Sequence, residues 1–304
     1  MSIESPYAQL LARIPVSERT LTVLGSETHY WEYGTAAPGV PTVVVVHGFR
    51  GDHHGLEPVV AQLPGAHILM PDLPGFGAST PLDAASGARH DVPGYAAWLA
   101  AFTAALALPG PVVILGHSFG SIVSSAALAD GLSADAVILV NPIGAPALSG
   151  PRGIMTRLAV FYYWAAAKLP ERIGFALLRS RLIVRVMSVT MSKTRDPQLK
   201  RWIHEEHDRY FSAFENRDVV LEAFRASVSH DVSEYAARIP QPTLLIAADR
   251  DDITPLAAQH RLQTLFPDAR LHVIHDVGHL IHYETPVEAA EQIRTVLSSL
   301  GAPA

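Results

Sequence analysis

Gly116-His117-Ser118-Phe119-Gly120 follows Val112-Val113-Ile114-Leu115 and leads into an Ala- and Ser-rich segment, Ser121 to Asp130. The apolar, β-branched run reads as a buried strand, and the segment after the serine reads as a helix packed closely on a sheet. A strand that turns sharply into a helix at the serine of G-x-S-x-G is a nucleophile elbow. The two glycines let the backbone make that turn and let helix and sheet approach. The turn lifts the Ser118 hydroxyl clear of the main chain. It also aims the Phe119 N–H, at the helix start, toward the place where an oxyanion would form. A Gly-rich turn with an incidental serine has the same five letters; the strand before it and the helix after it favour the catalytic reading.

On either side of the elbow the chain alternates strands and helices. Upstream, Tyr7 to Ile14 reads as a short helix, and Thr20 to Leu24 with Thr28 to Tyr33 as a hairpin around Gly25-Ser26. Thr42 to Val46, nearly all valine, has the pattern of a strand buried on both faces. Glu57 to Leu63 reads as a helix, Ala66 to Met70 as a buried strand, and Pro81 to Val92 as an exposed loop. Tyr95, Trp98, Leu99, Phe102 and Leu106 recur at helical spacing, and core packing accounts for that stripe. Downstream come a strand from Ala136 to Val140, a strand from Thr243 to Ala247, a helix from Pro255 to Leu265, a strand from Arg270 to Ile274, and a last helix from Thr285 or Pro286 to Leu300. This alternation predicts an α/β fold with a mostly parallel central sheet covered by helices on both faces. Between Asn141-Pro142 and Tyr235 the strand pattern disappears, and the periodicity is helical, broken by Gly150-Pro151, Pro170 and Pro197. The expected organisation is a core of residues 1–144 and 236–304 with a helical lid inserted at 145–235, over the carboxyl ends of the strands, where such sheets bind ligands.

Composition narrows the chemistry. The chain has 304 residues, 49% of them hydrophobic, enough for one sizeable core with an insertion. With no cysteine, disulfides, thiolate metal sites and a Cys nucleophile are excluded. No metal or nucleotide motif appears, so no cofactor is expected. A net charge of −6 argues against nucleic acid as the main partner. Met1 to Pro6 lacks a basic region followed by an apolar core, and the longest apolar run, Leu158 to Ala167, is too short to span a bilayer. The expectation is a soluble cytoplasmic protein.

A serine hydroxyl needs a base within hydrogen-bond reach, and the base needs a group that fixes its tautomer. Of fifteen histidines, His279 follows Gly278 in the loop between the last strand and the last helix, at the edge of the sheet where the elbow also lies. His275 and His282 are its rivals. The orienting acid should precede the histidine in the chain. The strand Thr243 to Ala247 runs into Ala248-Asp249-Arg250-Asp251-Asp252-Ile253-Thr254-Pro255, and spacing alone leaves the choice among three aspartates open.

Taken together, His47-Gly48-Phe49, Asp72-Leu73-Pro74-Gly75-Phe76-Gly77, Gly116 to Gly120, Asp251 to Pro255 and Gly278-His279 resemble the α/β-hydrolase superfamily, in its lidded esterase, lipase and meta-cleavage-product hydrolase branch. The resemblance covers nearly the whole chain outside the insertion. In that family the acid commonly stands four residues before a proline, which implies Asp251; Ala248 departs from the glycine often found there. The resemblance also implies a second oxyanion donor in the Phe49 N–H beside that of Phe119, with His47 and Gly48 shaping the loop. Arg50, His53 and His54 read as solvated residues or as lining the pocket mouth, the former favoured. Epoxide hydrolases and haloalkane dehalogenases resemble this fold but carry Asp at the elbow, so Ser118 implies acyl transfer to water.

The expected substrate is therefore a carboxylic ester with an apolar acyl or alcohol part. Carbon–carbon bond hydrolysis of a vinylogous diketone acid is an alternative with the same triad, and a non-enzymatic ligand receptor on this fold is another. From Pro151 to Arg225 there are 14 Lys/Arg against 8 Asp/Glu, a balance of +6 that leaves −12 for the rest. Within it Arg179, Arg181, Arg185, Lys193, Arg195, Lys200 and Arg201 flank an apolar run, Leu182 to Met191. Such a helix contacts an anionic lipid surface weakly, meets an acidic substrate, or turns its apolar side to the pocket and its charges to water, the last being favoured. Phe161 to Trp164 form an aromatic knot that lines a pocket or holds the lid together.

Overall fold

The nearly all-valine strand pattern is explained by what lies on each side of it. In β3 (Thr42–Val46), Val44 and Val46 join one apolar core and Val43 and Val45 the other, so both faces of these four positions are apolar. The same division runs through β5 (Val112–His117), with Ile114 in the first core and Val113 and Leu115 in the second. The computed structural model describes residues 3–146 and 153–301. Its sheet has eight strands in the order β1-β2-β4-β3-β5-β6-β7-β8, with β1 (Val16–Val23), β2 (Ser26–Tyr33), β4 (His67–Pro71), β6 (Ala136–Val140), β7 (Thr243–Ala248) and β8 (Ala269–Ile274) around the two already named. Pairings β1–β2 and β2–β4 are antiparallel; the others are parallel.

Short helices α1 (Ala8–Leu11) and α2 (Glu57–Val60) are joined by α3 (Val92–Ala105), α4 (Phe119–Ala129), α10 (Leu256–Gln263), α11 (Ile281–Glu284) and α12 (Pro286–Ser299) in covering the sheet. The stripe Tyr95, Trp98, Leu99 and Phe102 is fully buried on the first face. Between β6 and β7 lie α5 (Gly153–Lys168), α6 (Glu171–Leu178), α7 (Arg181–Met191), α8 (Pro197–Tyr210) and α9 (Arg217–Ser229). Pro170 caps α6 and Pro197 opens α8, while the break expected at Gly150-Pro151 lies outside the described residues. This helical insertion is tied to the core: Gly77 N–H donates to Ala213 O at 2.8 Å and Glu215 N–H to Gly75 O at 3.0 Å.

Four expectations are corrected. The hairpin is longer and its turn is Leu24-Gly25, both at positive φ, with Val23 facing Ser26. Its first half lacks an apolar face because β1 is an exposed edge strand, and its Arg19 faces Tyr30 in register while ion-pairing diagonally with Glu32. The helix expected at Glu57 to Leu63 ends at Val60 and is preceded by a 3-10 turn, His53–Leu56. The segment from Pro81 to Val92 is not wholly exposed: Leu82 and His90 are buried and joined by a 3.0 Å hydrogen bond, and Val92 already belongs to α3, which Asp91 caps. A single-turn helix, α11, precedes the last helix; one turn is too short to show a 3.6-residue period. No helix among the described residues is long and apolar enough to cross a membrane.

Candidate active site

Ser118 stands between β5 and α4 with φ 52° and ψ −116°, a conformation that L residues rarely adopt. Close packing leaves the turn no room to relax. A Cβ on Gly120 would overlap the carbonyl oxygens of Val46 and His47, and one on Gly116 would sit 2.6 Å from Gly120 O. Ser121 fastens the turn from within: its hydroxyl donates to Ser118 O at 2.5 Å and accepts from Ile143 N–H at 3.1 Å. Strain at one residue is thus held by neighbours that have little freedom.

The Ser118 hydroxyl lies 2.8 Å from His279 Nε2, and His279 Nδ1 lies 2.7 Å from Asp251 Oδ2. Ser118 is half-buried, whereas His279 and Asp251 are buried, so the open end of this chain of hydrogen bonds is the hydroxyl. The three aspartates divide by partner. Asp249 pairs with the exposed His275 at 3.1 Å, Asp252 with Lys193 at 2.8 Å, and Asp251 with His279. His282 is buried, its ring 4.3 Å from that of His117. Burial holds both imidazoles well below their ordinary value, His117 at about 3, so neither carries charge at neutral pH.

Asp251 accepts more than the histidine. Asn141 Nδ2–H and the Thr254 hydroxyl donate to Oδ2 at 2.9 and 2.5 Å, and the Ile253 and Thr254 N–H groups to Oδ1 at 2.7 and 3.0 Å. Burial raises a carboxyl pKa, but His279 and these donors outweigh it and hold Asp251 at about 2. Neither Asn141 nor Thr254 carries a motif that marks it as a donor to this carboxylate. A signal existed for Asn141: a polar residue capping the wholly apolar β6, where the strand pattern ends.

Phe49 and Phe119 flank the serine, their rings 6.3 Å apart, and among the described residues neither backbone N–H has a protein acceptor. A Cβ on Gly48 would lie 3.3 Å from Ser118 Cβ, so the loop after β3 passes directly over the elbow. His47 braces that loop: Nδ1–H donates to Gly48 O, and Nε2 accepts from Leu73 N–H, each at 2.8 Å. Asp72 braces the next one, accepting from the His53 N–H and Nδ1 and from Ala78 N–H. The expectation that Arg50, His53 and His54 are solvated is overturned. Arg50 is buried because the insertion folds down over this loop, His53 is buried between Asp72 and the stacked Trp31, and His54 is half-buried under Tyr210. Asp52, His53 and His54 bring their potential ligand atoms within 4.8 Å of one another. Asp52 Oδ1 caps the 3-10 turn and meets His54 Nδ1, while His53 Nδ1 meets Asp72, and these bonds account for the cluster without an ion.

The aromatic knot divides. Tyr163 is buried, stacks on Phe224 at 3.7 Å and touches Phe49; Phe161 and Trp164 stack on each other outside, 62% and 54% exposed. The favoured reading of α7 is also corrected. Val184 and Ser188 face inward, but Leu182, Val186 and Val189 are 74%, 56% and 53% exposed. The charges are not all free either, since Arg185 pairs with Asp208 and Lys193 with Asp252. A surface hollow of about 420 Å³, bordered by Leu82, His90, Arg217 and Glu222, has none of the candidate residues in its walls.

The profile of the alpha/beta hydrolase family matches residues 43–292. Lipase 1 of Psychrobacter immobilis is 24% identical over 289 residues, covering 91% of this chain and 83% of its own. The 2-succinyl-6-hydroxy-2,4-cyclohexadiene-1-carboxylate synthase of Salmonella typhimurium is 25% identical over 265 residues, covering 86% of this chain and 95% of its own. Among solved structures, the esterase EaEST from Exiguobacterium antarcticum superposes with a TM-score of 0.74 at 16% identity, covering 93% of this chain and all of its own, a likeness of fold.

Proposed function

This chain belongs to the alpha/beta hydrolase family, and from that premise we propose that it is a serine hydrolase that cleaves a carboxylic ester through an acyl-enzyme. The observation that carries the reading is the unbroken hydrogen-bond chain from Ser118 through His279 to Asp251. His279 Nε2 takes the hydroxyl proton as Ser118 Oγ attacks the ester carbonyl. The carbonyl oxygen, now an oxyanion, is held by the Phe49 and Phe119 N–H groups. Collapse expels the alcohol, which leaves with the proton from His279. Water, deprotonated by the same imidazole, then releases the acid and restores the serine. Asp251 stays ionised throughout and fixes the tautomer with Nδ1 protonated. An apolar acyl or alcohol part suits the rings of Phe49, Phe76, Phe119, Tyr163 and Phe224 gathered beside the two donors. The relatives named as a lipase and an esterase support an ester as the substrate class.

The test is a fluorophosphonate probe followed by peptide mapping, with p-nitrophenyl ester hydrolysis read in the first milliseconds. Stoichiometric labelling of Ser118 and a burst of one nitrophenolate per chain are expected. A label on another serine, or turnover with no serine labelled, overturns the reading.

The exposed face of α7 adds a surface partner to this proposal. Leu182, Val186 and Val189 lie one turn apart on one face, and Arg179 and Arg181 are exposed beside them, which fits an anionic lipid surface. Replacing the three apolar residues with Ser and Arg181 with Glu should abolish co-sedimentation with phosphatidylglycerol vesicles while hydrolysis of a short soluble ester stays within about twofold. Equal sedimentation of both proteins, or of neither, returns α7 to an ordinary solvated helix.

A further inference from the structure

Arg50 is fully buried, and among the described residues its acceptors are carbonyls and hydroxyls with no carboxylate among them. A buried guanidinium without a counter-charge is costly unless something else neutralises it. Here the compensation comes from backbone. Nη2 donates to Leu178 O at 2.6 Å, the last carbonyl of α6, and Nε donates to Phe211 O at 3.0 Å, the cap residue of α8. The C-terminal ends of both helices carry partial negative charge and unsatisfied carbonyls, so two helix termini converge on one cation. Nη1 donates to the Tyr163 hydroxyl at 3.2 Å, and Nη2 reaches Ser212 Oγ at 3.4 Å. The rings of Phe211 and Phe214 lie 5.5 and 5.2 Å from the guanidinium carbon. One side chain of the core thus grips α5, α6 and the segment after α8.

Its backbone is as unusual as its side chain. Gly51 N–H donates to Gly48 O at 3.1 Å, closing a tight turn over Gly48-Phe49-Arg50-Gly51. Arg50 is the third residue of that turn and has φ 64°, the position and conformation at which a turn of this kind asks for glycine. Such strain persists only where surroundings hold it. The fork fastened to three lid segments is such a surrounding, and the residue immediately before it is Phe49.

We propose that Arg50 is a positioning residue that couples the docking of the lid to the geometry of the oxyanion loop. With the lid helices seated, the fork holds Arg50 at positive φ and the Phe49 N–H faces the elbow. When they lift, the cation loses both helix termini, Arg50 relaxes, and the peptide groups on either side of it turn away. The enzyme is then competent only with these three lid segments down, so substrate has to enter past another part of the lid. This inference rests on the Phe49 N–H being an oxyanion donor.

Two variants separate backbone from fork. Arg50→Gly keeps the turn and deletes the fork; Arg50→Met deletes the fork and keeps the strain. Both should speed tryptic cleavage at the exposed Arg172, Arg179 and Arg181 around the end of α6 by about tenfold or more. Arg50→Met should lose roughly 10- to 100-fold in kcat on a small soluble ester with KM little changed, and bind a trifluoromethyl ketone, which forms a tetrahedral adduct on the serine, more weakly by the same factor. Arg50→Gly should lose clearly less kcat than Arg50→Met, because glycine holds positive φ without strain. Unchanged lid cleavage in both variants overturns the coupling, as does an Arg50→Met enzyme with wild-type kcat. If the wild-type protein hydrolyses no ester, the proposed function fails, but the cleavage rates still report whether Arg50 bolts the lid.

Discussion

Replacing Ser118 with alanine is expected to lower the turnover number on a short-chain p-nitrophenyl ester by roughly 10,000-fold or more, to the level left by binding and the oxyanion donors alone. Among the described residues the one hydrogen-bond partner of His279 Nε2 is this hydroxyl, at 2.8 Å, and the proposed reaction uses it as the nucleophile. The fold should survive. Among the described residues the Ser118 hydroxyl makes no hydrogen bond beyond that one, and the elbow is held by Ser121 and by the close approach of Gly116 and Gly120 to backbone. Alanine pays the same backbone strain as serine at φ 52°, so the thermal midpoint should stay within a few degrees of wild type. Circular dichroism melts and turnover of the same preparation decide it. A folded Ser118→Ala protein that keeps a tenth of wild-type turnover means the chemistry runs through another residue.

How much of this was legible in the sequence depends on the range of the interaction. Val112 to Leu115 announces a buried strand because its composition alone satisfies both faces of a sheet, and the glycines at 116 and 120 announce a close approach that nothing larger could make. His279 was legible because it follows Gly278 at the sheet's edge; Asp251 only through a family pattern, since spacing left three aspartates. The structure separates those three by partners in Lys193, His275 and His279, contacts made by tertiary folding. Asn141 and Thr254 were passed over because a donor to a buried carboxylate looks like any polar residue at a strand end. Arg50 was misread outright. A lone arginine after a strand is normally solvated, and what buries this one is the convergence of Tyr163, Leu178 and Phe211, which lie 113 to 161 positions away. The exposed side of α7 was misassigned for a related reason. An amphipathic period says that one face is apolar, not whether that face turns inward.

Changing Asp251 to Asn should lower turnover by roughly 10,000-fold although the side chain keeps its shape. The carboxylate is an acceptor at both oxygens: Oδ2 receives Asn141, Thr254 and His279, and Oδ1 receives two backbone N–H groups. An amide has one accepting end. If its NH2 takes the Oδ2 place, it faces His279 Nδ1 and forces the proton to Nε2, so the imidazole can no longer accept from Ser118. If it takes the Oδ1 place, it confronts the Ile253 and Thr254 N–H groups and leaves buried donors unpaired, at about 1–3 kcal/mol each. Either orientation costs activity, stability or both, and combining Asp251→Asn with Ser118→Ala should cost little more turnover than Ser118→Ala alone, because the residues act as one unit. The same carboxylate sets a pH dependence whose sign is fixed. Its folded pKa of about 2 lies below the ordinary 3.8, so it contributes stability above the ordinary value and loses that contribution as pH falls toward 2. The gap in thermal midpoint between wild type and Asp251→Asn should therefore be widest near neutrality and shrink between pH 4 and pH 2. A gap that stays constant across that range, or an Asp251→Asn enzyme within tenfold of wild-type turnover, removes Asp251 from the role given to it here.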